Sequence, residues 1–196
     1  MKKLIRIACV VLLIAGFTSK AGAQFSLGAS AGVAMPVGSF EQKYNMGFGG
    51  YASLAYTINA QMSIGLNAGF YAFKGTDFPA GSNPSTRILP IFLDFKYYLN
   101  TEGFMPYVGA GLGLYSVFTS TTTPDVPANF VGGLMVAPAS PSFKRLDSSG
   151  KFGISPTVGF WVGDELKFGA SVTYHIIISD AANIGVNIGM LYSFGN

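Results

Sequence analysis

Cysteine, histidine and charge are scarce in this chain. Its one cysteine, Cys9, falls near the start, so the rest can form no internal disulfide and must be held by packing and strand pairing. Its one histidine, His175, stands alone. No His/Cys cluster offers the spacing of a metal site, and the acidic residues are dispersed, so no metal and no cofactor are expected. Charged residues make up 11% of the sequence against 49% hydrophobic ones, the opposite of a disordered chain. Beyond residue 23 there is no apolar run of the roughly 18 residues that marks a spanning helix, which excludes a helical membrane protein. What is abundant is glycine, with 26 residues, interleaved with single apolar side chains.

The first 23 residues read as an export signal. Met1-Lys2-Lys3 and Arg6 form a positive n-region, Ile7 to Phe17 an apolar h-region, and Ala21-Gly22-Ala23 a cleavage site before Gln24. Cys9 precedes most of the h-region, which argues against a lipoprotein. The formal charge of +3 includes Lys2, Lys3, Arg6 and Lys20, so the chain without them stands at −1. The basic balance belongs to the signal, and nucleic-acid binding loses its compositional support. Residues 24–196 fit one domain.

From Phe25 to Phe194 eight stretches alternate, and the apolar face of each is free of charge. The faces run through Phe25–Val33, Phe48–Ile58, Met62–Phe70, Leu89–Tyr97, Val108–Phe118, Phe152–Val162, Leu166–Ile176 and Ile184–Phe194. Gly50, Ser116 and Pro156 are the exceptions, and Pro156, lacking a ladder donor, predicts a bulge or a weak pairing. The opposite faces are rich in glycine and small polar residues. Eight antiparallel strands of about 9–11 residues suit a closed up-and-down barrel crossing a bilayer, because an open edge in hydrocarbon would leave amides unpaired. The charge-free face has the same origin: a Lys or Arg at the bilayer midplane costs roughly 2–4 kcal/mol. A soluble lipocalin-like carrier would instead need its large apolar side chains inside.

Short links near 59–61, 100–105 and 163–165 alternate with long ones at 35–46, 74–86 and 119–151; the link at 179–182 is short. Short periplasmic turns and longer external loops place both termini in the periplasm. Phe25, Tyr56, Tyr97, Phe160, Tyr192 and Phe194 are then expected in the lower aromatic girdle, and Phe48, Phe70, Phe118, Phe152 and Tyr174 in the upper one.

Two phrases carry a family resemblance: Pro106-Tyr107-Val108-Gly109-Ala110-Gly111-Leu112-Gly113, and the last strand, Asn187-Ile188-Gly189-Met190-Leu191-Tyr192-Ser193-Phe194. The chain resembles, over nearly all of residues 24–196, the small eight-stranded outer-membrane β-barrel family of the OmpA transmembrane-domain and OmpX type, with a Bacteroidetes-like outer-membrane barrel domain. The resemblance implies that Asn187, Gly189, Tyr192 and Phe194 form a C-terminal signal read by the barrel-assembly machinery. Gly195 and Asn196 follow the last aromatic, where the family usually stops.

An eight-stranded barrel has an interior that side chains can fill. Inward glycines are expected to make room for Tyr51, Tyr71, Phe92, Tyr115 and Trp161, giving a plugged lumen. Asp94, Lys96, Lys167 and His175 are the inward ionisable residues and form a candidate interior polar network, with Asp94 paired to Lys167 or Lys96 and His175 nearer the external rim. A lipid-modifying enzyme would need a nucleophile, a base and a carboxylate together. Ser171, four residues from His175, is about 13 Å away along a strand, while Ser179 and Asp180 follow it closely. The Gly-x-Gly-x-Gly run at 109–113 lies within a strand and lacks the Lys-Ser/Thr of a phosphate loop.

The 119–151 loop, with its apolar run Phe130, Val131, Leu134, Met135 and Val136, is the candidate external contact region; the alternative is that the flanking strands project beyond the membrane. The composite expectation is a monomeric, non-enzymatic outer-membrane barrel, with membrane lipids around it and an extracellular partner reached through that loop. A narrow passive channel or a lipid-modifying enzyme is the alternative.

Overall fold

The computed structural model describes residues 25–76, 83–123, 129–131, 134–137, 143–178 and 181–194. The segment expected to be an export signal, Ser179 and Asp180 lie outside them, as do the side chains of the 129–137 segment. The strands are β1 (Phe25–Pro36), β2 (Gly47–Asn59), β3 (Met62–Lys74), β4 (Asn83–Tyr98), β5 (Phe104–Thr123), β6 (Asn129–Val131), β7 (Leu134–Ala137), β8 (Phe143–Val162), β9 (Leu166–Ile177) and β10 (Asn183–Ser193). Eight of them close into one barrel in the order β1-β2-β3-β4-β5-β8-β9-β10, every neighbour antiparallel. β6 and β7 form a separate two-stranded sheet. No helix among the described residues is long and apolar enough to cross a membrane.

Register fixes the shape. Leu27 lies opposite Leu54, then Leu66, Leu93, Leu112, Ile154 and Ile176. Extending the β9–β10 register by one pair reaches Ala182, whose carbonyl accepts the Val37 amide. One circuit therefore climbs ten residues, from 27 to 37. With strands about 4.8 Å apart and about 3.3 Å of rise per residue, that shear tilts the strands by about 40°.

The alternation is reproduced strand by strand. In β3 the side chains of Ser63, Gly65 and Asn67 are buried, whereas Ile64 and Leu66 between them face outward. The outer surface is a continuous belt of Leu, Ile, Val, Met and Phe. Inside, rings sit over cross-strand glycines. A Cβ on Gly153 would come within 2.7 Å of the Tyr115 ring, one on Gly111 within 2.7 Å of Phe92, and one on Gly169 within 2.6 Å of Trp161. Glycine is required there because the narrow lumen leaves room for only one of each facing pair.

Two prolines each interrupt one ladder. Pro156 pairs with Ala110 on β5, but toward β9 the pairing skips from Ile154–Ile176 to Thr157–Thr173. Pro90 does the same between β4 and β3, where it skips from Ala68–Ile91 to Tyr71–Ile88. Neither shifts the register, so Pro156 weakens a pairing and makes no bulge.

The strands outrun the apolar alternation at one end. β4 begins six residues before Leu89, β5 continues five beyond Phe118, and β8 begins nine before Phe152. Asn83–Ile88, Val117–Thr123 and Phe143–Gly150 thus form a three-stranded sheet that projects past the apolar belt. Much of the 119–151 loop is strand, rich in β-branched threonine, and its polar faces gave no period to read.

Candidate functional site

The lumen contains a polar column in three separate parts. At the end where β1 begins and β10 finishes, Lys167 donates from Nζ to Ser193 Oγ at 3.2 Å, and Ser193 Oγ lies 3.0 Å from Ser26 Oγ. Above it, Lys96 Nζ meets Asp94 Oδ2 at 2.7 Å, both residues buried, with the ammonium 5.7 Å from the centre of the Tyr107 ring. Tyr107 in turn stacks on Trp161 at 6.3 Å. The space beside Lys96, Tyr51, Tyr98 and Trp161 is about 10 Å³, near the minimum for one water molecule.

The third part surrounds His175. Its Nδ1 lies 3.0 Å from Tyr115 Oη and 3.2 Å from Ser155 Oγ, and those two hydroxyls bond each other. The imidazole is flanked by Tyr71, Phe92 and Tyr115 at 5.7–6.0 Å between ring centres. Tyr71 donates from Oη to Asn187 Oδ1 at 3.2 Å. His175 Nε2, Asn187 Nδ2, Asn183 Oδ1 and both amide atoms of Asn67 are buried without a protein partner. Such groups need water where the lumen admits it.

The four predicted ionisable residues therefore do not form one network. Asp94 pairs with Lys96 and not with Lys167, and His175 belongs to a neutral hydroxyl–imidazole cluster. The alternating face placed all four inside; Lys96 follows Asp94 by two residues on the same face of β4, whereas Lys167 lies on β9 and bonds Ser193 on the neighbouring strand.

Serine and histidine do come within bonding reach, though not the pair considered from spacing. Ser171 bonds Tyr51 Oη at 3.4 Å, while Ser155 on the neighbouring strand reaches His175. Acyl transfer at this pair lacks two elements. Among the described residues no carboxylate bonds His175, and both side chains are 1% exposed, so no substrate reaches the hydroxyl.

Sequence reasoning missed what closes the lumen beyond His175. Residues 37–46, between β1 and β2, fold inward, and Phe40 and Tyr44 become buried against Tyr71, Phe73, Ile88 and Ile177. Phe40 packs on Tyr44 at 4.7 Å and edge-on against Phe73 at 5.1 Å. The turn is pinned by backbone bonds from Val37 to Ala182, from Tyr44 to Phe40 and from Asn45 to Lys74. The available signal was two aromatics four residues apart in an otherwise polar link.

The projecting sheet has a different surface. Ser85, Arg87, Phe118, Ser120, Lys144, Leu146 and Asp147 line an open groove of about 300 Å³ on its outward face. Phe118 pairs with Arg87 and Ser148 at the edge of the apolar belt, the level expected for the upper girdle, and it also lines this groove. Of the candidate contact residues, Phe130 pairs with Met135 and Val131 with Leu134 in the β6–β7 hairpin, and Val136 falls within β7.

The last strand closes the barrel. Asn187 and Gly189 face inward. Tyr192 and Phe194 are exposed outside with ring centres 5.2 Å apart, and Phe194 donates its amide to Phe25.

No protein-family model matches the chain, and neither does any curated protein. Solved structures do match the fold. The chain is similar to Neisserial surface protein A at 17% identity, covering 89% of this chain and all of that one, with a TM-score of 0.60. It is also similar to the outer membrane protein OprG from Pseudomonas aeruginosa at 15% identity, covering 89% and 98%, with a TM-score of 0.52. The chain has the closed eight-stranded fold of small outer-membrane barrels.

Proposed function

We propose that the chain is an integral outer-membrane protein, exported through a cleaved signal at 1–23, whose role is structural or interactive and is exercised at the projecting sheet and its loops. The supporting observation is the contrast between its two ends. Aromatic and tyrosyl side chains pack the lumen, so conduction is blocked, whereas three strands continue well beyond the apolar belt and carry polar, basic and apolar groups into water. An enclosed Ser155–His175 pair gives no support to lipid chemistry. The barrel inserts as a monomer through the assembly machinery, and the β6–β7 hairpin meets an extracellular partner.

The test uses the full chain and a variant lacking residues 124–142. Both are expected to form a heat-modifiable barrel and to carry no steady current in a planar bilayer. Adhesion of producing cells to immobilised matrix proteins and glycans is expected to fall to background only in the deletion. Equal adhesion with the hairpin deleted, or a stable open conductance in the full chain, would contradict the reading.

A further inference from the structure

We propose that Lys74, Arg87 and the groove between Phe118 and Leu146 bind the phosphorylated sugar headgroup of a glycolipid in the outer leaflet. The inference rests on the outer-membrane placement argued above and adds a ligand class to it.

Position is the first observation. Outward from Arg87 along β4 come Leu89, Ile91, Leu93 and Phe95, all exposed, and then Tyr97. The ten residues from Tyr97 to Arg87 rise about 25 Å at the 40° tilt, the height of the apolar band of such barrels. Arg87 is the first charge above that band on β4, and Lys74 is the first on β3, after Phe70 and Ala72. Ala72 pairs with Arg87 and Lys74 with Ser85, so the two cations are diagonal neighbours on one face, about 7–8 Å apart at the backbone. They therefore stand where headgroups begin.

Charge is the second. Neither cation makes an ion pair among the described residues; the ion pair present is Lys96–Asp94 inside. Two adjacent exposed cations repel, and a phosphate between them offsets that repulsion while accepting bidentate bonds from Arg87. Lys43, Lys144, Arg145 and Lys151 lie at the same end and outnumber Glu41 and Asp147 among the described residues there, whereas the links at the other end carry Glu102, Asp164 and Glu165.

Shape is the third. The groove beside Arg87 combines Phe118 and the 74%-exposed Leu146 with the hydroxyls of Ser85 and Ser120, and it ends at Lys144. An apolar floor whose walls carry hydroxyls, two cations and the carboxylate of Asp147 suits a phosphorylated sugar, its phosphate at the cations and its hydroxyls within reach of Asp147, with the acyl chains descending along Leu89 and Leu114.

The test is native mass spectrometry of the purified full chain in neutral-detergent micelles, with a phosphorylated glycolipid and its dephosphorylated counterpart in competition. Two interfacial cations at roughly 1 kcal/mol each predict a preference of about 30-fold for the phosphorylated form. In a Lys74→Ser/Arg87→Ser variant that still shifts on boiling, the preference is expected to fall below about threefold. Wild-type chain that forms the barrel without discriminating, or a preference that survives the double substitution, would overturn the proposal. So would Lys74- and Arg87-dependent binding of a soluble sulfated oligosaccharide with indifference to lipid phosphate. A chain that stays soluble and shows no mobility shift would instead remove the placement beneath it.

Discussion

At the residue scale the lumen is governed by paired requirements. The Lys96 ammonium is held inside by one carboxylate, and removing that carboxylate leaves a buried charge uncompensated. Asp94→Ala is expected to destabilise the barrel by about 3 kcal/mol, read by urea unfolding in lipid vesicles. Asp94→Ala with Lys96→Met should recover most of that loss. Equal stability of the single variant and wild type would show that Lys96 reaches water without Asp94. The glycines divide in the same way. An alanine at Gly32 would collide with the Val186 carbonyl and with Asn187 Cα at 2.7 Å, all fixed by the β1–β10 ladder. At Gly185 the nearest atom is Asn187 Nδ2 at 3.2 Å, followed by Tyr71 Oη at 3.5 Å and His175 Nε2 at 3.8 Å. Gly32→Ala should therefore cost about 3 kcal/mol or prevent closure, and Gly185→Ala about 1 kcal/mol or less, by the same assay. The sequence distinguishes neither case, because both glycines stand on the same inward face.

At the element scale, apolar alternation located every barrel strand, because a lipid-facing side chain has to be apolar. It failed where that constraint ends. Beyond Leu89, Phe118 and Phe152 the outward face meets water instead of an apolar solvent, so Arg87, Thr122 and Lys144 read as loop although their backbones remain paired. The 37–46 link shows the complementary failure. Phe40 and Tyr44 occupy no strand, yet they complete the apolar seal over Tyr71 and Phe73. That seal makes a prediction about conductance. Phe40→Ala with Tyr44→Ala should leave folding intact and admit brief, small currents in a planar bilayer, while wild type stays closed. Persistent closure of the double variant would place the barrier deeper, at the ring cluster of Tyr71, Phe92, Tyr115 and His175.

At the scale of the whole molecule, two solvents are written into one sheet. Glycine, small polar side chains and a few aromatic rings fill the lumen, and bulky apolar side chains face outward over a belt about 25 Å tall. Closure, strand count and the direction of each face were legible in residues 25–194, since period two and the charge-free face leave few other arrangements. Lumen partners were legible only in part. Asp94 meets Lys96 two residues along the same face of β4, one of the two pairings the alternation offers, whereas Ser155 rather than Ser171 reaches His175 through the β8–β9 register, which no local pattern encodes. Membrane fractionation combined with gel mobility of unboiled and boiled samples reads at once whether the apolar belt lies in an outer membrane and whether the barrel is closed. Protein confined to the outer-membrane fraction and a clear shift on boiling are expected. A soluble periplasmic protein of unchanged mobility would contradict both, and the exposed apolar belt would then have to be covered by a partner or another copy of the chain.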